Sequence, residues 1–237
     1  MPRRPNDDRV TRVTGRLSRE AILVAGIALA DRDGLDGLSM RRLGQELGVN
    51  PMSVYHHVRD KDALLEAMTD AVVAEITAPG TTTPEPGDGG WTEQLRALIG
   101  AARRTMLGHP WAVRALQQRD SPSPAVLHHI DRVLGILRRG GCSTQLSHHA
   151  LHVLGSRLLG FSQDLFDDSA AGRPDPATLA VQFQAWADTY PYVVELGRVV
   201  AHEGGLGGCD DDAEFDFALD LLLDGLERRR RAEAALR

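Results

Sequence analysis

The chain has little of several features that identify whole classes of protein. Only 5% of its 237 residues are aromatic, and its two cysteines, Cys142 and Cys209, lie far apart without metal-type spacing. No apolar run approaches the roughly 18 residues of a membrane span. The Arg-rich N-terminus has no apolar segment of the kind that directs secretion. We therefore expect reduced thiols in a cytoplasmic protein, with no disulfide framework and no membrane span.

The motifs of common enzyme classes are also missing. We find no Gly-rich phosphate loop, no nucleophile elbow and no convincing acid–base pair. A carboxylate run, Asp210 to Asp212, precedes a predicted helix, where acidic residues serve as caps and as partners of the helix dipole. The sequence therefore predicts neither an enzyme nor a bound cofactor.

Lysine is nearly absent and charge is unevenly distributed. Lys61 is the single lysine, against 26 arginines. Residues 1–61 carry 11 basic and 8 acidic residues, a balance of +3, whereas residues 62–237 carry 16 and 25, a balance of −9. Binding to phosphates needs a local basic face and not a basic protein. The asymmetry in charge favours a chain with two parts: a basic N-terminal end that faces nucleic acid, and an acidic body.

Helical spacing of apolar residues dominates what is present, and no alternating β pattern of useful length occurs. The fold class predicted is all-α. The spacing predicts helices over residues 18–34, 91–107, 123–139, 143–166 and 212–231, one that opens at residues 174–176, and a long one capped by Asp60 that buries Leu65, Met68, Val72 and Ile76.

A Pro-, Gly- and Thr-rich stretch divides the chain. We predict a disordered basic arm over residues 1–17, a DNA-binding domain over 18–77, a linker over 78–90 and a larger helical domain over 91–231. The arm is equally consistent with a contact to DNA and with a solvated tail.

Two short helical patterns meet at a tight turn within residues 38–61. Ser39 and Asn50 are residues that cap helices, and Pro51 fits the first helical position, where its missing N–H costs nothing. Gly48 supplies the turn between the two helices. The pattern predicts a helix-turn-helix unit whose second helix spans residues 50–57.

That second helix has an inward and an outward face. Val54 and Val58 point inward, which leaves Ser, Tyr and His side chains outside. Such groups can bond phosphates and base edges in a major groove. A helical hairpin with a merely polar surface is the alternative, because short polar helices are common.

The stretch from residue 18 to about 76 resembles the DNA-binding domain of the TetR family of bacterial transcriptional repressors. The matching segments read SREAILVAGIALADRDGLDGLSMRRLGQELGV and NPMSVYHHVRDKDALLEAM. Tyr55, His57 and Lys61 fall at the family's spacing. The resemblance covers about a quarter of the chain, and its motifs are specific.

The resemblance implies a homodimeric repressor in the cytoplasm, at the nucleoid, that binds a near-palindromic DNA operator and is released by a small-molecule effector. The alternative is a constitutive DNA-binding regulator whose body only dimerises. The resemblance also implies the residues that contact DNA. Ser39 and Arg41 would approach it from the first helix of the unit, and Met52 and His56 would contact base edges. The phosphates would be contacted by Ser53, Tyr55, His57 and Lys61.

Two late helices of each chain form a four-helix bundle in this family, and helices 143–166 and 212–231 are the candidates here. Helix 212–231 is apolar over much of its circumference, at Phe217, Leu221 and Leu223 among others. Such a helix needs burial on more than one side. A monomer core could also provide that burial.

His148 and His152 have the i,i+4 spacing of a helical metal clamp. No glutamate or third ligand accompanies them, so spacing alone favours a structural or solvent-facing role, and we predict no metal site.

The resemblance places an effector chamber behind turns such as GHPW around His109, although a capping histidine is equally consistent with that segment. No histidines stand where a magnesium–tetracycline complex would be held, so we do not expect recognition by that chemistry. Residues 91–231 have more apolar periodicity than a dimer interface uses, so we expect an apolar-lined pocket for a hydrophobic or amphipathic effector. Aromatic residues of the body are more often core than ligand contacts. The candidate pocket residues are His109, Trp111, His149, His152, Phe161, Phe183 and Trp186.

Overall fold

The computed structural model describes residues 17–76, 90–158, 176–200 and 211–236. These segments contain eleven helices and no strand, which confirms the predicted all-α class. The helices are α1 (Arg19–Gly37), α2 (Met40–Glu46), α3 (Pro51–Tyr55), α4 (Lys61–Glu75), α5 (Trp91–Gly108), α6 (Pro110–Gln117), α7 (Pro124–Arg139), α8 (Thr144–Leu158), α9 (Pro176–Trp186), α10 (Pro191–Val200) and α11 (Asp211–Ala235).

The chain forms two compact units, which divide between Ile136 and Leu137. The predicted arm falls outside the described residues up to residue 16, as does the predicted linker between residues 77 and 89. Gly90 is the N-cap of α5. The proposed boundary between the two domains at this linker stays a prediction.

Side-chain caps begin the first four helices where the sequence predicts them. The oxygens of Ser18, Ser39, Asn50 and Asp60 accept hydrogen bonds from backbone N–H groups at 2.8–3.2 Å. Each cap satisfies one of the backbone donors that an α-helix leaves without a partner in its first turn. Local sequence therefore determines where these helices start.

The lengths of the helices differ from prediction in a few places. α1 is interrupted at Gly34, whose φ of 69° is left-handed, and a last helical segment follows to Gly37. α11 continues four residues beyond the predicted end. Two helices, α6 and α10, were not predicted; each is short and opens with a proline. The part of the predicted helix 143–166 beyond Leu158 lies outside the described residues.

The first compact unit is built round α1, α4 and α6, which pack on one another, with α2 against α1 and α5 against α4 and α6. α4 buries a wider stripe than its periodicity predicts. Leu64 and Val73 are buried in addition to Met68, Val72 and Ile76, whereas Leu65 is only half-buried. The reason is that α4 contacts helices on several sides, so its apolar surface cannot be a single line of residues.

In the second compact unit α8 packs against α11, and α9 packs against α10. Phe215, Leu219 and Leu223 form the buried stripe of α11, while Phe217 and Leu221 are exposed. The aromatic side chains predicted for the core divide as well, since Phe183 is buried but Tyr190 is exposed. Cys142 is buried, and this burial raises the pKa of its thiol.

Within the ranges that the structure describes, none of the helices has both the length and the apolar character needed to cross a membrane.

Gly44 of α2 lies close to the start of α3. A Cβ atom at this position would lie 3.1 Å from the Cα and N atoms of Pro51 and 3.1 Å from the carbonyl oxygen of Val49. All three are backbone atoms, which cannot move aside as the end of a side chain can. The glycine therefore permits the helix-turn-helix to close.

We predict that Gly44→Ala lowers the free energy of unfolding by about 1 kcal/mol, because overpacking of roughly 1–3 kcal/mol exceeds the helix-propensity gain of alanine. Gly100→Ala in α5 is the matched control, since the nearest atom there is the flexible Arg104 guanidinium at 3.4 Å. Urea denaturation measures both variants. Equal stability of the two would show that α2 and α3 are not in this close contact.

Candidate nucleic-acid interface

A small rigid scaffold holds the predicted helix-turn-helix. Gly48, with a φ of 66°, makes the turn after α2 in a conformation that side-chain-bearing residues rarely adopt. Val54 is fully buried and Val58 nearly so, which anchors α3 and the turn that follows it. α3 itself has only five residues, so the predicted helix 50–57 ends early and His56 and His57 lie in its C-terminal turn.

The outward face of α3 is open to solvent. Met52 is 62% exposed and Tyr55 is 43% exposed, and both histidines that follow are exposed. Ser53 is half-buried. An exposed methionine and tyrosine on a helix whose other face is anchored form a surface that can enter a groove without rearrangement of the backbone.

Two neighbouring arginines of α2 have different surroundings. Arg42 donates to a carboxylate oxygen of Asp33 at 2.6 Å and to the Gly37 carbonyl at 3.1 Å, so it braces the end of α1. Arg41 is exposed and makes no ion pair or side-chain hydrogen bond within the described part of the chain. Arg41 is therefore available to an external anion, and Arg42 has a structural task.

Lys61 is exposed at the first residue of α4. Its Nζ donates to the Leu35 carbonyl oxygen at 3.3 Å, which holds the ammonium group over the end of α1. The neighbouring Arg59 is paired with Asp60 at 2.7 Å. The pKa of the Asp60 carboxyl is lowered, chiefly by the hydrogen bond from the backbone N–H of Ala63 and secondly by the one from Arg59. The Lys61 ammonium group and the unpaired Arg41 guanidinium thus lie on the two helices that precede and follow α3 in the chain.

Asp31 of α1 receives two donors from the segment that joins α5 to α6. The Trp111 indole Nε1 donates to Asp31 Oδ1 at 2.6 Å, and His109 Nδ1 lies 2.8 Å from the same oxygen. The other ring nitrogen of His109 lies 3.4 Å from the Glu75 carboxylate of α4. His109 occupies the N-cap position of α6 but makes no side-chain cap, so its ring serves this contact instead.

A second clamp lies at the other end of α6. Arg119 donates to Asp70 Oδ1 at 2.7 Å and to the Glu66 carbonyl oxygen at 2.6 Å, both on α4. The Arg119 side chain is 12% exposed. α6 is therefore tied to α1 at its start and to α4 at its end.

The remaining candidates for an effector pocket that the structure describes lie on α8 and α9. His149 and His152 are exposed on α8. Phe183 and the half-buried Trp186 meet edge to face on α9, with ring centroids 6.2 Å apart. Phe161 lies outside the described residues. The proposal that these side chains share one pocket stays a prediction.

Two concave regions, both open to solvent, lie on the described part of the chain. A cavity of about 560 Å³ lies between α4 and the segment that follows α6, with a wall that is mostly polar and includes Asp62, Glu66, Thr69, Asp70, Gln118, Arg119 and Asp120. A groove of about 690 Å³ lies between α8 and α11 and is mainly apolar. Of the predicted pocket residues, His149 lines the groove and none lines the cavity.

Asp31, Asp70 and Arg119 are functional candidates that the sequence did not reveal. Each is an ordinary charged residue in a helical pattern, and its partner is 49 or 80 residues away in the chain. The WAVRALQQRD segment after His109 could have been read as a helix with a Pro start, which would have placed Trp111 and Arg119 at opposite ends of it.

Comparison with known families covers most of the chain. Residues 22–68 match the family of bacterial regulatory proteins of the tetR type, and residues 83–230 match the tetracyclin repressor-like C-terminal domain. The HTH-type transcriptional repressor DrrR1 of Streptomyces coeruleorubidus is 30% identical over 225 residues, which is 92% of this chain and 82% of that protein. The class C tetracycline repressor of Escherichia coli is 27% identical over 217 residues, 91% of this chain and 93% of the repressor.

Solved structures agree with this assignment. The crystal structure of ActR from Streptomyces coelicolor in complex with actinorhodin is 29% identical to this chain, with a TM-score of 0.67 and coverage of 90% of this chain and 96% of ActR. Apo ActR has a TM-score of 0.69 at 28% identity, and covers 92% of this chain and 99% of its own. The chain therefore belongs to the TetR family of bacterial transcriptional regulators.

Proposed function

We propose that this chain is a ligand-responsive repressor that binds a near-palindromic DNA operator as a homodimer. The observation that carries the proposal is the exposed face of α3, which a buried valine anchors from behind and two cations flank. A short helix presented in this way fits the width of the major groove. Repression, rather than activation, follows the relatives that are named repressors.

The roles of the DNA-contacting residues follow from their exposure and chemistry. Met52 and His56 are the groups that reach base edges or thymine methyls, because they are exposed on the outer face of α3 and its C-terminal turn. Phosphate contacts come from Ser53, Tyr55, His57 and Lys61, with Ser39 and Arg41 approaching from the start of α2. Ser39 does so while it caps α2, so its hydroxyl is already oriented.

The α8/α11 groove supports the homodimer. Leu221, Leu222 and Leu226 of α11 face Leu146 and Val153 of α8 across it, and Leu221 is 58% exposed in the single chain. An apolar groove of this size on a water-soluble regulator is stabilised when another apolar surface covers it. A second copy of the same chain would supply that surface through an isologous contact.

The two clamps on α6 support a link between effector and DNA. A ligand that displaces α6 would act on α1 through Trp111 and on α4 through Arg119, and α4 begins with the DNA-facing Lys61. The cavity between α4 and the end of α6 lies against the Arg119 clamp. ActR, which is 29% identical to this chain, binds actinorhodin in its crystal structure. By analogy with that relative, the effector proposed here is a small amphipathic molecule.

Binding to DNA is tested by selection and by two neighbouring arginines. Selection from random duplexes with the purified chain is expected to enrich a near-palindrome, bound with strong salt dependence. Arg41→Ala is expected to weaken binding to all sequences and to leave thermal stability unchanged. Arg42→Ala, the matched neighbour, is expected to lower stability because its bonds to Asp33 and Gly37 are lost. Selection that enriches no sequence would exclude the proposed function.

Base and phosphate contacts are separated by a second pair of variants. Tyr55→Phe is expected to reduce affinity for all duplexes alike, whereas Met52→Ala is expected to change the preferred sequence, at a cost of about 1–3 kcal/mol at the contacted base pair. Fluorescence anisotropy on the selected site and its single-base variants measures both. The same pattern for the two variants would refute these roles.

The dimer is tested by two leucines of α11 with different surroundings. Leu223 is 2% exposed, so Leu223→Asp is expected to unfold the chain, since an unpaired charge would be buried. Leu221→Asp is expected to leave the chain folded but monomeric, with DNA affinity reduced. Sedimentation velocity separates species near one and two times 25.8 kDa. A folded wild-type monomer that binds the full operator would contradict the proposal.

The effector link is tested at the start of α6 with actinorhodin as the probe. Wild type is expected to gain thermal stability and to lose operator affinity in the same concentration range, as linkage requires. Trp111→Phe keeps an aromatic side chain but removes the N–H that bonds Asp31 and part of the buried ring system, so we expect about 1–3 kcal/mol less stability and a smaller effect of the ligand on DNA affinity. Trp91→Phe, at the start of α5, is the control.

Ligand binding with no change in DNA affinity in the wild type would favour the alternative, a constitutive regulator whose body only dimerises. An unchanged ligand effect in Trp111→Phe, with the stability loss present, would show that the Asp31 contact is structural and does not transmit the signal.

A further inference from the structure

Three histidines lie on the solvent side of α8, and the structure distinguishes one pair among them. The ring centroids of His148 and His152 are 4.5 Å apart with the ring planes at 76°, whereas those of His148 and His149 are 5.6 Å apart. All three side chains are exposed. The i,i+4 pair is therefore the one that a rigid helix brings together, because neighbouring residues diverge round the helix axis.

The separation of this pair matches bidentate metal binding. A metal ion about 2.0–2.1 Å from an imidazole nitrogen lies roughly 3.2 Å from the ring centroid. Two imidazoles at an angle of about 90–109° round one ion then have centroids roughly 4.5–5.2 Å apart. The observed centroid distance falls at the lower end of this range. The rings meet edge to face, so rotation of the side chains about χ1 and χ2 is needed to turn a nitrogen of each ring toward one ion.

The surroundings on α8 suit a cation. Residues 144–156 contain no lysine or arginine, so none of them adds a positive charge beside the pair. Thr144, one turn before His148, is exposed. The helix already fixes both Cβ atoms, so only side-chain rotation is lost on binding, and the second imidazole binds at high effective concentration.

Spacing alone predicted no metal site here, but the closeness of the two exposed rings leads us to propose that His148 and His152 form a chelating site for a divalent late transition-metal ion. Cu²⁺ is preferred by the order of affinities for nitrogen ligands. Nowhere in the described residues do three or more His, Cys, Asp or Glu side chains come together round a possible metal position. The site therefore has two protein ligands, and water or another small ligand completes the coordination. Such a site exchanges its metal and does not hold the fold together.

The site is independent of the proposed DNA binding, since it uses one exposed helix face of the second compact unit. It adjoins the α8/α11 groove, whose wall includes the neighbouring His149. A bound divalent ion would add positive charge beside that groove.

The test uses the full-length chain without a tag, titrated with Cu²⁺ and followed by electron paramagnetic resonance and calorimetry. Wild type is expected to bind one equivalent tightly, with nitrogen hyperfine structure from two equatorial imidazoles. His148→Gln and His152→Gln are each expected to weaken this binding roughly 10–100-fold, because the chelate is lost. His149→Gln is the matched control on the same helix and is expected to bind as wild type does.

Glutamine is at least as good a helix former as histidine, so the exposed variants remain folded, which circular dichroism verifies. Equal weakening in all three variants, or no weakening in any, would identify adventitious binding to the chain's nine histidines and overturn the proposal. A spectrum with a single nitrogen ligand in the wild type would do the same. DNA affinity measured on these variants is a separate result and decides nothing about the metal.

Discussion

The shared acceptor at Asp31 is the contact on which the arrangement of the first compact unit depends. One carboxylate oxygen accepts the Trp111 indole N–H and contacts Nδ1 of His109, and Nε2 of the same ring lies near the Glu75 carboxylate. Three helices, α1, α4 and α6, thereby meet round two side chains from a single turn. Hydrogen bonds to a charged acceptor in a partly buried setting are stronger than neutral ones and more directional. This contact fixes the start of α6 against α1, as apolar packing alone would not.

Arg119 completes the arrangement, because it ties the other end of α6 to α4 through Asp70 and a backbone carbonyl. Since both ends are held, a shift of α6 would strain its contacts with α1 and α4, and α1 in turn packs against α2 of the helix-turn-helix. The family to which the chain belongs consists of transcriptional regulators, and a two-point attachment of this kind gives a physical route for regulation. A ligand can change DNA affinity only through a difference in binding between two states of the protein. Under the proposed effector response, the clamps at Asp31 and Asp70 would be contacts that differ between the two states.

On α3 most residues position the helix and few are left for the proposed contact with DNA. Val54 and Gly44 set the position of the helix, Arg42 braces the neighbouring turn, and a few side chains are exposed. Arg41 and Arg42 are adjacent in sequence and identical in chemistry, yet one is paired in the scaffold and the other is not. The division on α11 is similar, since Leu223 belongs to the core of the chain and Leu221 to the groove.

Local chemistry was sufficient for the sequence to determine the all-α class, the four side-chain caps, the turn at Gly48 and the inward valines of α3, because each depends on residues within one or two helical turns. The resemblance of residues 18–76 to one family was equally local, and the family was confirmed. The tertiary structure decided what depends on partners in other helices: the Asp31 and Arg119 clamps, the distinction between Arg41 and Arg42, and the wider buried stripe of α4. Periodicity states which face of a helix is apolar, but it does not state which other helix covers that face or which charged residue meets a partner there. Those outcomes come from packing, and packing is settled only when the whole chain is folded.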